Sequence, residues 1–402
     1  MRNLFKNCSA NISNRKWKNI ISRNMPLYDE GNDIRNEFER DYTRVIHSAA
    51  YRRLKHKTQV FFSPNNDHIC TRIEHVMHVE SISYIIANYM GLNTDLTRAI
   101  ATSHDLGHSP FGHVGEKILS NISKRDLDTT FWHEKNGLDM VDFIELLEDH
   151  ERFKQNLNLT YGVRDGIISH CGEIDENAIR PRKNFISLSN YCFPNQFMPY
   201  TWEACVVKIA DKISYIGRDI EDAITLGILD NHLNELYDLL DLNSSNRHLN
   251  NSVIIKYLIS DLCENSSPEK GLCFSDDAFD LLNKVKAFNY KNIYLSDKIL
   301  PSNRYFNLVI NEIYDTFKSC YDNQNLLNCI NNLNKFCPNA SKDFYSFLCS
   351  YFDCGNRDTL KLKNKIIFDF CEKSDFYRAI LYYISGMTDN FAIDVYNEII
   401  GF

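Results

Sequence analysis

The chain is expected to be all-α, and three observations predict it. Apolar residues recur at helical spacings in segment after segment. Gly (15) and Pro (9) are few for 402 residues, which disfavours many-turned β architectures. Strand-like alternation is short and weak.

Residues 33–55 hold neither Gly nor Pro and set Phe38, Tyr42, Ile46 and Ala49 on one helical face. Residues 72–90 carry the stripe Ile73, Val76, Val79, Ile82, Ile85 and Ile86. Gly91 follows where a left-handed cap would end that helix. Residues 94–105 open on Thr94 with Asp95 in the first turn, as a helix start should. Residues 107–113 read as a loop, 114–121 as a short helix, and 134–148 and 202–229 as longer ones. Residues 172–201, with three prolines, form a loop-like connection. Helical patterning then continues over 253–263, 277–287, 305–320, 342–353, 375–386 and 390–400, in an Asn- and Tyr-rich background without a chemical motif.

Three regions follow from this pass: a leader (1–32), a motif-bearing core (33–230) and a helical C-terminal region (231–402) that completes the core and makes oligomer contacts. The polar run 232–251 allows a boundary near 230–250, but one continuous helical body fits equally well.

Composition narrows the classes. Hydrophobic residues at 44% and charged residues at 24% are globular values. A net charge of −8 argues against a protein that coats nucleic acid wholesale, while leaving a local basic site open. No run approaches the ~18–20 apolar residues of a membrane span. The first 24 residues are basic and polar with no signal-peptide core, and a flexible leader is favoured over a transit peptide. Thirteen cysteines, an odd number without a C-x-x-C pair, disfavour disulfide frameworks and thiolate zinc sites. The expectation is a reduced, cytoplasmic protein that uses cysteine as a small buried residue.

The chemistry concentrates in histidine. Eight of 13 lie between His47 and His113. The stretch 103–116, SHDLGHSPFGHVGE, brings together His104, Asp105, His108, His113 and Glu116. His104 and Asp105 cannot share a face in mid-helix, but both can reach one ion where the backbone turns at Gly107. Further donors are His75, on the 72–90 helix, and Asp211, on the helix starting near Trp202. Two imidazoles and two carboxylates suit one divalent ion such as Mn, Mg, Fe, Ni or Zn. A lone His-Asp pair is more often a surface or capping feature. Here Gly107, Gly112 and Gly115 add room for close backbone approach to a ligand. His113 and Glu116 share a face and can form an acid–base pair, with Glu116 orienting His113; a surface ion pair is the plainer alternative. His133, alone, reads as a capping or surface residue. His78, one turn from His75, is an optional extra ligand, with a surface or supporting role favoured.

Residues 202–223 place Asp211, Tyr215, Asp219 and Asp222 on one helical face, flanked by Lys208 and Lys212. Val206, Ile209, Ile213, Ile216 and Ile220 form an apolar stripe. That polar face suits a nucleotide, or is simply solvated. The segment 52–59 adds Arg52, Arg53, Lys55 and Lys57 near Gln59, with the same two readings.

His75, His104-Asp105 and Asp211 resemble the H…HD…D signature of HD-domain phosphohydrolases. The stretches NEFERD (36–41), YRRLKHKTQVF (51–61), TRIEH (71–75), HDLGHSPFGHVGE (104–116), GIISH (166–170) and ADKISY resemble the dGTPase or dNTP triphosphohydrolase branch. The resemblance covers residues 36–223. It implies an all-α HD core, usually in tetramers or hexamers, with His75, His104, Asp105 and Asp211 on a metal. It implies His113, Glu116 and His133 as the catalytic group. Arg72, Lys212 and His108 would contact phosphates or substrate, Gln59 and Asp219 the sugar 3′-hydroxyl, and Tyr215 would exclude a 2′-hydroxyl. The implied reaction is attack of water at the α-phosphorus, releasing deoxynucleoside and triphosphate, with dGTP the first substrate to consider. Allosteric nucleotide or single-stranded DNA are further partners, and no membrane is expected. Two alternatives stand beside this reading: another HD phosphohydrolase acting on monophosphates or guanosine tetraphosphate, and a nucleotide- or ssDNA-sensing protein without turnover.

Overall fold

The computed structural model describes residues 3–27, 33–62, 66–171, 176–240, 251–322 and 325–401. The N-terminal residues pack onto the body, including the short helix α1 (Trp17–Ile20). Phe5, Ala10 and Ile20 are buried in the main core, so the expected flexible leader is replaced by an ordered strap.

The 33–55 segment is not one helix. It breaks at Ser48 into α2 (Glu37–His47) and α3 (Ala49–Arg53). Ser48 takes an extended backbone and its hydroxyl accepts from Tyr51 N, a capping geometry that restarts the helix. Helix α4 (Arg72–Met90) starts with a Thr71/Glu74 capping box and ends at left-handed Gly91, φ 79°. Its predicted stripe is buried at Val76, Val79, Ile82 and Ile86, whereas Ile85 faces outward. Asn93 caps α5 (Thr94–Ser103), one residue before the expected Thr94. Helix α5 buries Leu96, Ala99, Ile100 and Ala101, as a helix enclosed by α2, α4, α8 and α9 must.

Helix α6 (Gly112–Leu127) is longer than expected, and α7 (His133–Asp139) is shorter. Helix α7 widens into a π-turn at Met140–Ile144 and then gives way to an antiparallel pair, β1 (Leu146–Glu148) and β2 (Lys154–Asn156). Helix α8 (Tyr161–Ser169) leads through a long connection to α9 (Trp202–Thr225), which Thr201 caps. The α9 stripe is buried as predicted. Its polar residues Lys208, Lys212, Asp219 and Asp222 are buried too, which excludes a solvated face for them.

Beyond α9 come α10 (Leu233–Leu239), α11 (Asn251–Asn265), α12 (Asp276–Asn289), α13 (Leu300–Lys318), α14 (Leu326–Asn332), α15 (Pro338–Tyr351), α16 (Lys373–Ser385) and α17 (Asp389–Ile400). A boundary near 230–250 falls partly on residues 241–250, outside the described set. The apolar interior divides elsewhere. One core runs from Phe5 to Ile293. A second gathers one face of α6 with α13, α15, α16 and α17, rich in Phe and Tyr. Phe317 and Phe344 sit there with ring centroids 4.2 Å apart. Among the described residues, no helix is long and apolar enough to cross a membrane.

Candidate active site

Helices α4, α5 and α9 meet so that their polar residues face one another inside the first core. His75 comes from α4, Asp211 from α9, and His104 and Asp105 from the turn that closes α5. His75 Nε2 lies 2.9 Å from Asp211 Oδ1 and 3.8 Å from Asp105 Oδ2. His104 Nε2 lies 3.4 Å from Asp105 Oδ1 and 3.8 Å from Asp211 Oδ1. His104 Nδ1 donates to the Ala101 carbonyl at 2.7 Å, which leaves the lone pair on Nε2. That buried Nε2 has no hydrogen-bond partner. A lone pair aimed at two carboxylates is repulsive unless a cation stands between them, so this donor set fits a divalent ion. Burial alone would raise the Asp211 carboxyl, but the hydrogen bond from His75 outweighs it and holds the group down at about 2. Burial likewise opposes ionisation of Asp105. The His108 and His104 imidazoles and the Arg72 guanidinium beside it nevertheless hold it well below the usual range.

A cavity of about 370 Å³ opens over this cluster. Its walls include Gln59, Arg72, His108, His113, His133, Tyr215 and Asp219. A larger cleft of about 770 Å³, walled by Trp132 and Phe368, contains none of the predicted residues.

Three predicted residues sit differently from expectation. Lys212 is not in the cavity wall. One residue beyond Asp211 turns about 100° around a helix, and Lys212 instead lines a neighbouring small cleft with Lys208 and Phe279. Arg72 is fully buried; it donates to Asp105 Oδ2 at 2.7 Å and to the carbonyls of Thr58 and Gln59 at 3.2 Å. Its guanidinium therefore fixes a cluster carboxylate and the Gln59 backbone. Glu116 pairs more closely with His133 than with His113. Its two oxygens lie 3.1 Å from His133 Nδ1, against 3.5 Å to His113 Nδ1. The His133 backbone N–H also donates to Glu116, at 2.9 Å. His133 thus lines the cavity and is no surface cap. His113 sits at the rim with its side chain 69% exposed.

Electrostatics divide these groups. Burial would lower the His133 pKa, but Glu134 and Glu116 outweigh it and raise it to about 10. Burial also works against the Glu116 charge, which His133 and His113 hold far below the usual carboxylate range. His108 stacks on His133 at 3.8 Å, and burial together with Arg72 keeps it neutral. Gln59 Oε1 is buried without a partner. Burial pushes Asp219 up to about 6, against the hydrogen bond it accepts from Tyr294.

Several cavity residues had no sequence signal of their own. Tyr294, Tyr290 and Asn289 come from the end of α12 and the turn after it, within a region without motifs. His170 closes α8 and sits 5.0 Å from His104, ring to ring. It belongs to the GIISH stretch, which the resemblance matched without assigning a role. His78 is exposed, as a surface residue.

The helical body and the buried His/Asp set over a cavity define an HD-domain, metal-dependent nucleotide phosphohydrolase; residues 72–216 match the HD domain family. The chain belongs to the deoxyguanosinetriphosphate triphosphohydrolase-like family within that class. It is 31% identical over 387 residues to such a protein of Caldanaerobacter subterraneus subsp. tengcongensis, covering 95% of this chain and 90% of that one. A relative so described from Rickettsia canadensis is 34% identical over 396 residues (93% and 96%). One from Desulfatibacillum aliphaticivorans is 35% identical over 294 residues (72% and 75%).

Proposed function

We propose that this protein hydrolyses deoxynucleoside triphosphates, dGTP first among them, at the α-phosphorus to deoxynucleoside and triphosphate. The observation that carries this reading is the meeting of the His75–His104–Asp211 cluster, with Asp105 against both imidazoles, with Gln59, Tyr215 and Asp219 around one cavity. His75, His104, Asp105 and Asp211 would hold the divalent ion. When bound, the ion supplies Lewis acidity and charge neutralisation at the phosphate oxygens.

The chain's own residues do the rest. His133, its Nδ1–H donated to Glu116, presents Nε2–H to the cavity and meets negative charge on the phosphate. His113, exposed at the rim beside Glu116, takes the proton of the attacking water. The P–O5′ bond breaks as the new P–O bond forms; the 5′-oxygen leaves as a hydroxyl with a proton from solvent water, and His113 returns to solvent the proton it took. Gln59 and Asp219 offer polar atoms for the sugar 3′-hydroxyl. The Tyr215 ring in the same wall would exclude a 2′-hydroxyl. The sequence of the relatives, named for deoxyguanosine triphosphate, supports the choice of first substrate.

The test is a product assay with Mn²⁺ or Mg²⁺, each dNTP alone, then mixed, then the four NTPs. Deoxynucleoside with intact triphosphate, and ribonucleotides untouched, is the expected result. Monophosphate or diphosphate products would sink it, as would bound nucleotide without turnover. Metal content should collapse in Asp211→Ala and persist in His113→Ala.

A further inference from the structure

We propose that Asp389, on the first turn of α17, is the positioning residue that locks the catalytic loop and the sugar-contacting segment to each other. The inference rests on the functional reading above, in which His113 and Gln59 act on the nucleotide. It concerns a region where the sequence showed no chemistry at all.

The two segments are far apart in sequence and meet on one carboxylate. Asp389 Oδ2 accepts from Thr58 N and Oδ1 from Phe111 N, each at 2.8 Å. Thr58 directly precedes Gln59, and Phe111 lies two residues before His113. Asp389 is 3% exposed, so water does not compete for either bond.

The loop needs such a holder. Phe111 and Gly112 take successive left-handed backbones, φ 62° and 57°, and such a conformation is strained for Phe. They redirect the chain from the His104–Asp105 turn into α6, and so aim His113. What holds Phe111 there comes from the C-terminal region. Its N–H is taken by Asp389, and its ring stacks on Phe306 of α13 with centroids 4.2 Å apart and planes 5° from parallel.

A second tie runs alongside. The buried Lys57 ammonium donates to the His108 carbonyl in the loop and to the Ser385 carbonyl at the end of α16, the latter at 2.9 Å. The 385–389 turn therefore grips the sugar side and the loop side together. If either grip loosens, His113 and Gln59 lose their fixed separation, and misplacement of reacting groups by about 1 Å can cost ~100-fold in rate.

The experiment uses the full-length protein and three variants: Asp389→Asn, Asp389→Ala, and Phe344→Leu as a control that loosens the second core without touching either segment. Steady-state kinetics, metal content, thermal midpoint and amide hydrogen exchange are read on each. For Asp389→Asn we expect kcat to fall about tenfold or more and KM to rise, with metal content unchanged. Asp389→Ala should be worse. Exchange should accelerate at 57–60 and 108–113 and not throughout the chain. Phe344→Leu should lower the thermal midpoint while keeping kcat. Wild-type kcat in folded Asp389→Asn would overturn the proposal. So would exchange that rises evenly over the whole chain, or an equal kcat loss in Phe344→Leu. If wild type turns over no nucleotide the functional reading falls, yet the exchange pattern still decides whether Asp389 holds both segments.

Discussion

Asp219 sits in the cavity wall, where its carboxylate accepts from the Tyr294 hydroxyl, and burial holds its proton up to about pH 6. An unfolded aspartate releases its proton near pH ~3.9. Between those values the folded chain keeps a proton that the unfolded chain has lost, so stability is full below about pH 4 and falls as pH rises through about 6. Asp219→Asn removes the titration. Its stability relative to wild type should therefore grow by on the order of 2–3 kcal/mol from pH 4 to 7. Denaturant midpoints at constant divalent metal would show this, and parallel curves for the two proteins would refute it. The same scale shows what sequence could and could not read. His75, His104, Asp105 and Asp211 were legible because their helices carry clear apolar stripes and the His-Asp pair sits at a glycine turn. The Glu116–His133 pairing was not, because it depends on where α7 docks. Lys212 lines a neighbouring cleft because one step along α9 turns a side chain about 100° around the helix.

Helix positions were legible where amphipathic runs were long, as in α4 and α9, and failed where a short polar side chain or a backbone crossing decided the outcome. Ser48 splits a stretch with neither Gly nor Pro because its hydroxyl competes for a backbone N–H. Helix α7 stops early because its polypeptide opens into a π-turn and pairs as β1 with β2. Its docking depends on Gly107. A Cβ there would lie 2.1 Å from both Gly137 N and the His133 carbonyl oxygen, all backbone that cannot rotate away. Asn136 Nδ2 also donates to the Gly107 carbonyl at 2.7 Å, sealing the contact. Gly107→Ala must push α7 off the loop and carry His133 with it. We expect a loss of about 3 kcal/mol or more, at or above the usual overpacking range, and activity lost beyond what unfolding explains. Gly137→Ala is the comparison. Its Cβ meets an Ile167 methyl at 3.0 Å and Gly107 N at 3.4 Å, so a small shift accommodates it. Chemical denaturation should rank Gly107→Ala well below Gly137→Ala, and equal losses would show that the crossing does not set the position of α7.

At the scale of the whole molecule, the two cores and the N-terminal strap were the least legible features, since neither follows a local period. Phe5 (beside Leu4), Ala10 and Ile20 (beside Ile21) are short apolar islands in a polar stretch without helical or strand spacing, so nothing in their pattern announces burial. The strap nonetheless reaches the helices that build the site. Phe5 N donates to the Met90 carbonyl at 3.0 Å and its ring packs edge-on against Trp202, 4.9 Å away. Ala10 N and Asn93 N both donate to buried Glu203 Oε1, at 2.8 and 3.0 Å, joining the strap to the starts of α5 and α9. Arg23 meets buried Asp41 at 2.5 Å. Burial of Phe5 and Ile20 alone contributes about 3–6 kcal/mol. That is a large fraction of the ~5–15 kcal/mol that ordinarily holds a domain folded. Deleting residues 1–24 also strips Glu203 of its bonds from Ser9 and Ala10 and Asp41 of Arg23, leaving only Asn93 N and Thr160 on these buried carboxylates, which adds to the loss. Helix α9 carries Asp211, so the loosening should reach the donor cluster. The truncated chain is expected to unfold at markedly lower denaturant and to hold less metal than the full chain. Phe5→Ala should reproduce about 3–5 kcal/mol of the effect without removing any charge. An unchanged midpoint in the truncated protein would mean that the strap rests on the body without stabilising it, and that the polar composition of the segment described its role better than its packing.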